Sequence, residues 1–392
     1  MEMQTEKIIK VLSLNHYIMG HATYQNILEK TFQEHIQEIE FNSLHLPDYF
    51  KGDFLGRLLY WLLSKQLPGA HKVDYDFHRF RTELATSFFA RRCLERALKN
   101  YQPDVLHLHT QAIAYLAAPL LKKFPSVVSI DNTAALLSRD RPFPSPITCR
   151  PIVEVERQCF RAADHIITWS ERARRSVIDD YGISPTKVTH IHPGVPLELF
   201  FGISPQEKST HSKPRLLFVG NDFVRKGGED VLAVFMESLS DICELDIVTN
   251  ASFNLNSTTN VRIHRGIGAF SPEIIKLYTA SDIFVMPTHE EVYGIVFTEA
   301  MAAGLPCIGT TVMAVPELVQ DGVNGFTVKP RDRTALREAI LKLINDPNLR
   351  LSMGQAGREI AKKQFDAIMN CQQIAKIFAE LSAQNKNIDL KE

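Results

Sequence analysis

Two carboxylates bracket the stretch EVYGIVFTE, Glu291 to Glu299, and an apolar helical pattern begins between them at Ile295. Glu299 is surrounded in sequence by Phe297, Ala300, Met301 and Ala303. A carboxylate in such company is costly unless hydroxyls or cations meet it. Carboxylates that each accept two hydroxyl hydrogen bonds suit sugars and riboses. Gly294 ends the loop, so the first helix amides, at Ile295 and Val296, can hold phosphate or hydroxyl oxygens. An acid near a helix N-terminus also favours the macrodipole. That account fits Glu290 or Glu291 well and Glu299 poorly.

A second group lies upstream. Arg225-Lys226-Gly227-Gly228 follows the strand pattern RLLFVG and opens a helix. Two cations, two glycines and a helix N-terminus suit an anion. A solvated basic turn fits these four residues equally well, and neither a GxGxxG nor a Walker-type motif is present. Asp131 follows the apolar run Val127–Ile130. It reads either as a carboxylate facing a ligand or as a helix cap or turn residue. His107 and His109 alternate in VLHLH and share one side of the sheet. Without Cys or Glu at ligand spacing they are expected to be structural rather than a zinc site, with His109 the one able to reach a cleft edge.

These groups need elements to hold them. The 392 residues favour two domains, and the 45% apolar content is ample for packing. A net charge of -1 gives no global attraction to nucleic acid. The six cysteines form no CxxC pair, which reads as reduced, buried thiols in a cytosolic protein. The start, MEMQTEKIIKVLSL, has no long apolar region or cleavage site, and no run approaches a membrane span. Short apolar strands alternate with helical patterns: Ile8–Leu14, the helical segment opened by Gly20, Val105–His109, Val127–Ile130, His165–Trp169 and Glu171–Tyr181. After a polar stretch around 204–214 the rhythm restarts, from Arg215–Gly220 through Pro306–Gly309, and Thr334–Ile344 and Leu351–Ser382 are helical by period. The expected fold class is α/β, with two doubly wound, Rossmann-like domains facing each other across a ligand cleft. The expected boundaries are 1–203, a linker at 204–214 and 215–367, with a last helix from about 368 completing the first domain.

The second half resembles the retaining GT-B glycosyltransferases of family 4. The resemblance rests on EVYGIVFTEAMAAGLP (Glu291–Pro306), RLLFVGNDFVRKGGEDVLAVF, VPELVQDGVNGFTV (Val315–Val328) and Ala163–Phe200, which stand in the family's order. It runs from about Gln102 onward and is faint between about Phe41 and Asn100. It implies a nucleotide-sugar donor carrying UDP, GDP or ADP, and a glycan or lipid-linked acceptor. By the same resemblance Glu299 would hold the ribose, and Glu291 hydroxyls of the transferred sugar. Gly294, Ile295 and Val296 would lie near the sugar and diphosphate. Lys226, helped by Arg225, would stabilise the leaving group. Asn221 stands where members often have arginine, and Val292 where they have glycine. Gly20 would belong to a glycine loop near the donor, in the sequence Tyr17-Ile-Met-Gly20-His21. Asp131 stands where many members carry a histidine near the reacting sugar. No cofactor or metal is implied. A nucleotide-sugar isomerase and a non-catalytic sugar-nucleotide-binding subunit are the rival readings, and the glutamate pair favours the transferases.

One stretch has two readings. Phe54–Leu63 (FLGRLLYWLL), with Arg57 and Lys65 at its edges, fits a core helix of the first domain. It also fits a surface helix lying against the inner face of a membrane. The core reading is favoured.

Overall fold

Runs such as VLHLH, SVVSI and CIGT are short and do not alternate with charged residues, so they suit strands covered on both faces. In the computed structural model, which describes residues 8–50, 52–67, 69, 75–140, 146–201, 213–253 and 260–389, they form two parallel sheets. The chain divides into two units, Met1–Pro193 with Ile368–Glu392, and Gly194–Ala367. The first seven residues and most of the expected linker, 204–212, lie outside the described residues. Among the described residues no helix is long and apolar enough to cross a membrane. All six cysteines are buried and unbridged.

The first unit contains β1 (Ile9–Asn15), β2 (Ile39–His45), β3 (Val105–His109), β4 (Ser126–Ile130), β5 (His165–Thr168) and β6 (Val188–His190), ordered β2-β1-β3-β4-β5-β6. The order reverses between β1 and β3, which puts a topological switch point at their carboxyl ends. Register sets Asn15 beside His109 there. His107 is a structural histidine: Ser13 Oγ lies 2.9 Å from Nδ1 and Ser129 Oγ 2.8 Å from Nε2. Burial pushes its imidazole down to about 3. The helix Met19–His35 lays Tyr24, Leu28 and Phe32 into the core. Gly20 lies in the first turn of that helix rather than in a glycine loop; the connecting loop is His16–Ile18, with Tyr17 at φ 57°.

The second unit contains β7 (Arg215–Val219), β8 (Glu244–Val248), β9 (Val261–His264), β10 (Ile283–Val285), β11 (Cys307–Thr310) and β12 (Gly325–Val328), ordered β12-β11-β10-β7-β8-β9. Counted within the unit this is the 3-2-1-4-5-6 order, and its switch point lies between β7 and β10. Gly325 allows β12 to close onto β11. At φ 156° its Cβ would sit 1.8 Å from the Cys307 carbonyl oxygen, so no side chain fits.

Two expectations need correction. The helical period over Leu351–Ser382 is interrupted: one helix runs Pro347–Gln364 and another Ala367–Asp389. Between them the backbone pairs with Val195, whose N–H donates to the Phe365 carbonyl at 2.7 Å and whose carbonyl accepts from Ala367 N at 3.1 Å. The last helix then returns to the first unit, where Phe378 packs on Phe32 and His107. The second correction concerns Phe54–Leu63. It is a helix, but not a core one: Gly56 is its one buried residue. The inward face is fixed by Gly56, where a Cβ would lie 2.5 Å from Phe89, and by the buried Asp53 carboxylate, which caps Gly56 N and accepts from Arg92 Nε at 2.7 Å.

Candidate functional site

In the second unit the loops after β7 and β10 carry the chemistry, and both start at the switch point. After β7 the chain turns through Asn221 and Asp222. Gly227 takes φ 76°, and a Cβ there would strike the Pro287 carbonyl oxygen at 2.1 Å, so only glycine fits. This close approach binds the two loops together. The Arg225 carbonyl accepts from His289 N at 2.8 Å and from Thr288 Oγ1 at 3.2 Å. The Arg225 guanidinium donates to Asp222 Oδ2 at 2.7 Å and to the Glu290 carbonyl at 2.8 Å. Asn221 Oδ1 accepts from Asn250 N at 3.1 Å. A further brace comes from buried Asp230, which accepts from Arg333 Nε at 2.7 Å and meets His289 Nε2 at 2.7 Å.

Within this frame the Lys226 ammonium and the Glu291 carboxylate are in ion-pair contact, both largely buried. Burial, and then the nearby Arg225 charge, push the ammonium down to about 7. The Glu291 carboxylate opposes that shift by favouring the charged form. Gly294 follows at φ 95°, where a Cβ would meet Phe297 at 2.9 Å and Glu291 Cγ at 3.1 Å. It opens the helix Ile295–Ala302, which has no side-chain cap. The amides of Ile295 and Val296 therefore present the positive end of the helix beside the ion pair.

Glu299 lies one turn into that helix and is buried. The Tyr278 hydroxyl, on the helix Pro272–Ala280, donates to its Oε2 at 2.7 Å. Burial raises the Glu299 carboxyl to about 7, with the Tyr278 hydrogen bond working against it. Glu290, by contrast, contributes its carbonyl to Thr288 Oγ1 and Arg225.

The first unit gathers a separate polar chain at its own switch point. Asn15 Oδ1 accepts from the Tyr17 amide, so Asn15 Nδ2 is the donor toward Gln25 Oε1 at 2.9 Å and His109 Nδ1 at 3.1 Å. The His109 proton is then on Nε2, which lies 3.0 Å from His21 Nδ1. The remaining His21 proton, on Nε2, faces Asp131 Oδ2 at 3.2 Å. From Asn15 through His109 and His21, each link donates toward Asp131. Burial alone would raise the Asp131 carboxyl, but His21 and the amides of residues 131 and 132 outweigh it and hold it below its ordinary range. Trp169 packs against the rings of His21 and His109 and fixes the arrangement. Asp131 is not a helix cap: Thr133 Oγ1 accepts from Leu136 N, and the buried Glu156 carboxylate accepts from Ala134 N.

Comparison with known proteins agrees with the two-unit design. Residues 55–199 match the model described as Glycosyltransferase Family 4, and residues 202–360 match Glycosyl transferases group 1. The chain belongs to the GT-B glycosyltransferases. The glycogen synthase of Mycobacterium tuberculosis is 25% identical over 279 residues, covering 68% of this chain and 66% of the relative. The chain thus spans about two thirds of the length of that curated relative. Among solved structures, sucrose-phosphate synthase from Thermosynechococcus elongatus superposes with TM-score 0.72 at 18% identity, covering 96% of this chain and 100% of that one. Anabaena HepE in complex with UDP and glucose gives TM-score 0.66 at 17% identity, over 95% and 100% of the two chains.

For this glycosyltransferase, the residues singled out in sequence fall into two groups. Lys226, Arg225, Asn221, Glu291, Gly294, Ile295, Val296 and Glu299 all belong to the second unit, around one switch point or on the helix that starts there. Asp131 and Gly20 belong to the first. His21 and Asn15 escaped the sequence reading. His21 stands directly after Gly20, so its signal was position alone, with no spacing to tie it to residue 131.

Proposed function

We propose that this glycosyltransferase transfers a sugar from a nucleotide-diphosphate donor to an acceptor hydroxyl with retention of anomeric configuration. The observation that carries this reading is the buried Lys226–Glu291 pair beside the uncapped helix start at Gly294. In the structure the two charges satisfy each other. A donor would separate them, its diphosphate taking Lys226 and its sugar hydroxyls taking Glu291. The amides of Ile295 and Val296 are assigned to phosphate or sugar oxygens, and the free oxygen of Glu299 to ribose hydroxyls. Arg225 is assigned a shared role, adding positive potential while its hydrogen bonds brace the loop.

In the transfer, the bond from the anomeric carbon to the β-phosphate oxygen breaks as the acceptor oxygen bonds to the same face of that carbon. The acceptor proton passes to the departing phosphate, and nucleoside diphosphate leaves. Negative charge grows on the phosphate, so pre-oriented cations and helix amides lower the barrier. We assign no metal to this work. UDP and glucose in HepE, and the glycogen synthase relative, support a nucleotide-sugar donor and a glycan acceptor. Incubation with UDP-, GDP- and ADP-sugars tests the reading. Slow release of nucleoside diphosphate is expected from one of them, together with a raised melting temperature. Interconversion of sugars without release, or binding without turnover, would replace it with an isomerase or a binding subunit.

Asp131 is assigned to the hydroxyls near the reacting carbon, with His21 as its positioning residue. His21→Ala is expected to lower kcat about tenfold with KM for the donor little changed. His21→Gln, which keeps a donor toward Asp131, should recover part of the loss. Equal kcat in all three proteins would remove His21 from the mechanism.

A further inference from the structure

The helix Phe54–Leu63 has apolar residues on the side that ordinarily carries charge. Its inward face is Gly56, Leu59, Tyr60 and Leu63, packed near Phe50 and Phe89. Its outward face repeats at helical spacing through Phe54, Leu55, Leu58, Trp61 and Leu62. Phe54 is 75% exposed and Trp61 55%. Leu67 continues the patch just beyond the helix. Isolated exposed apolar residues are ordinary, but a contiguous stripe marks a contact surface.

Charge decides what the surface contacts. Arg57 and Lys65 are exposed at its rim, and Lys65 Nζ lies 3.4 Å over the Trp61 ring. The sole carboxylate between residues 52 and 67 is Asp53, which is buried and held by Arg92 and Arg96. Within residues 52–67, all of them described, the stripe is therefore bordered by cations and carries no exposed acid. A second copy of the chain would bring the same cations against themselves across a two-fold axis. A lipid surface with anionic headgroups meets all three features: apolar side chains enter the acyl boundary, tryptophan sits at the headgroup level, and Arg and Lys pair with phosphate.

We infer that the Phe54–Leu63 face docks the protein on an anionic membrane surface. This inference stands independently of the assigned reaction. The test is co-sedimentation of the full chain with vesicles of phosphatidylcholine, with and without phosphatidylglycerol. Binding is expected to the anionic vesicles, to weaken as salt is raised, and to be far weaker on phosphatidylcholine alone. Leu58→Glu with Trp61→Glu should lower the partition about tenfold or more. Arg57→Glu should lower it by about fivefold or more. These positions are exposed, so melting temperature and nucleotide affinity should match the wild type, which separates lost docking from lost folding. Absence of binding to anionic vesicles, or equal binding by wild type and variants, overturns the inference. So does a wild-type dimer in solution that the double variant converts to monomer.

Discussion

Lys226→Met is expected to lower turnover about a hundredfold or more while changing nucleotide affinity far less. The reason lies in when its charge is needed. In the resting protein the ammonium answers Glu291, and in a bound donor it would answer a phosphate already neutralised in part by helix amides. Only as the glycosidic bond breaks does additional negative charge appear next to it. An interaction that strengthens in the transition state acts on kcat rather than on binding. Single-turnover rates and calorimetric nucleotide titration of the same variant check this. Wild-type turnover in Lys226→Met would sink the assignment. The substitution also leaves Glu291 buried without its cation, so the melting temperature must be compared alongside. The two perturbed groups predict a pH profile as well. In the free enzyme Glu299 must lose its proton, with burial holding its carboxyl near 7, and Lys226 must keep its own against a downward shift toward about 7. The value of kcat/KM should therefore fall on the acid side as Glu299 gains a proton. From about 7 upward it should fall as Lys226 loses one, the Glu291 carboxylate moving this limb to higher pH. The alkaline limb should vanish in Lys226→Arg, whose guanidinium does not titrate there.

Glu299→Ala is expected to act on binding instead, weakening nucleotide affinity about a hundredfold through the loss of charge-assisted hydrogen bonds to ribose. It carries a second penalty. The Tyr278 hydroxyl is fully buried and donates to Glu299, so truncation strands it at a cost of about 1–3 kcal/mol in stability. Glu299→Gln separates the two effects. It keeps an oxygen for Tyr278, so the melting temperature should stay near wild type while nucleotide affinity still drops. Unchanged affinity in Glu299→Gln would show that this carboxylate serves the core and not a ligand.

The parts of the site that could be read from the sequence are those whose partners lie close along the chain. Glu291, Gly294 and Glu299 belong to one loop and the helix it opens, and Arg225 to Gly228 to one turn. Their spacing carries most of their geometry. The Asn15–His109–His21–Asp131 series has no such local signature, because its links join residues 94, 88 and 110 positions apart through the register of β1 on β3. The helix Phe54–Leu63 shows a different limit. Its period reveals two apolar faces, and only the close fit of Gly56 under Phe89 and the tether of Asp53 to Arg92 choose which one turns inward. What holds the break at Phe365-Asp366 was equally hidden: helical residues lie on both sides, and the backbone there pairs with Val195, far away in sequence.

The return of the last helix to the first unit bears on how this protein is made. The chain of Gly194–Ala367 is continuous, so it can close its core as soon as its own last strand and helices have left the ribosome. The first unit is synthesised earlier, yet Phe32 and His107 wait for Phe378 to cover them. The half that is translated first is thus the half that finishes last: a nascent chain that has emerged only as far as residue 367 would carry a completed second unit behind an amino-terminal sheet still open to chaperones.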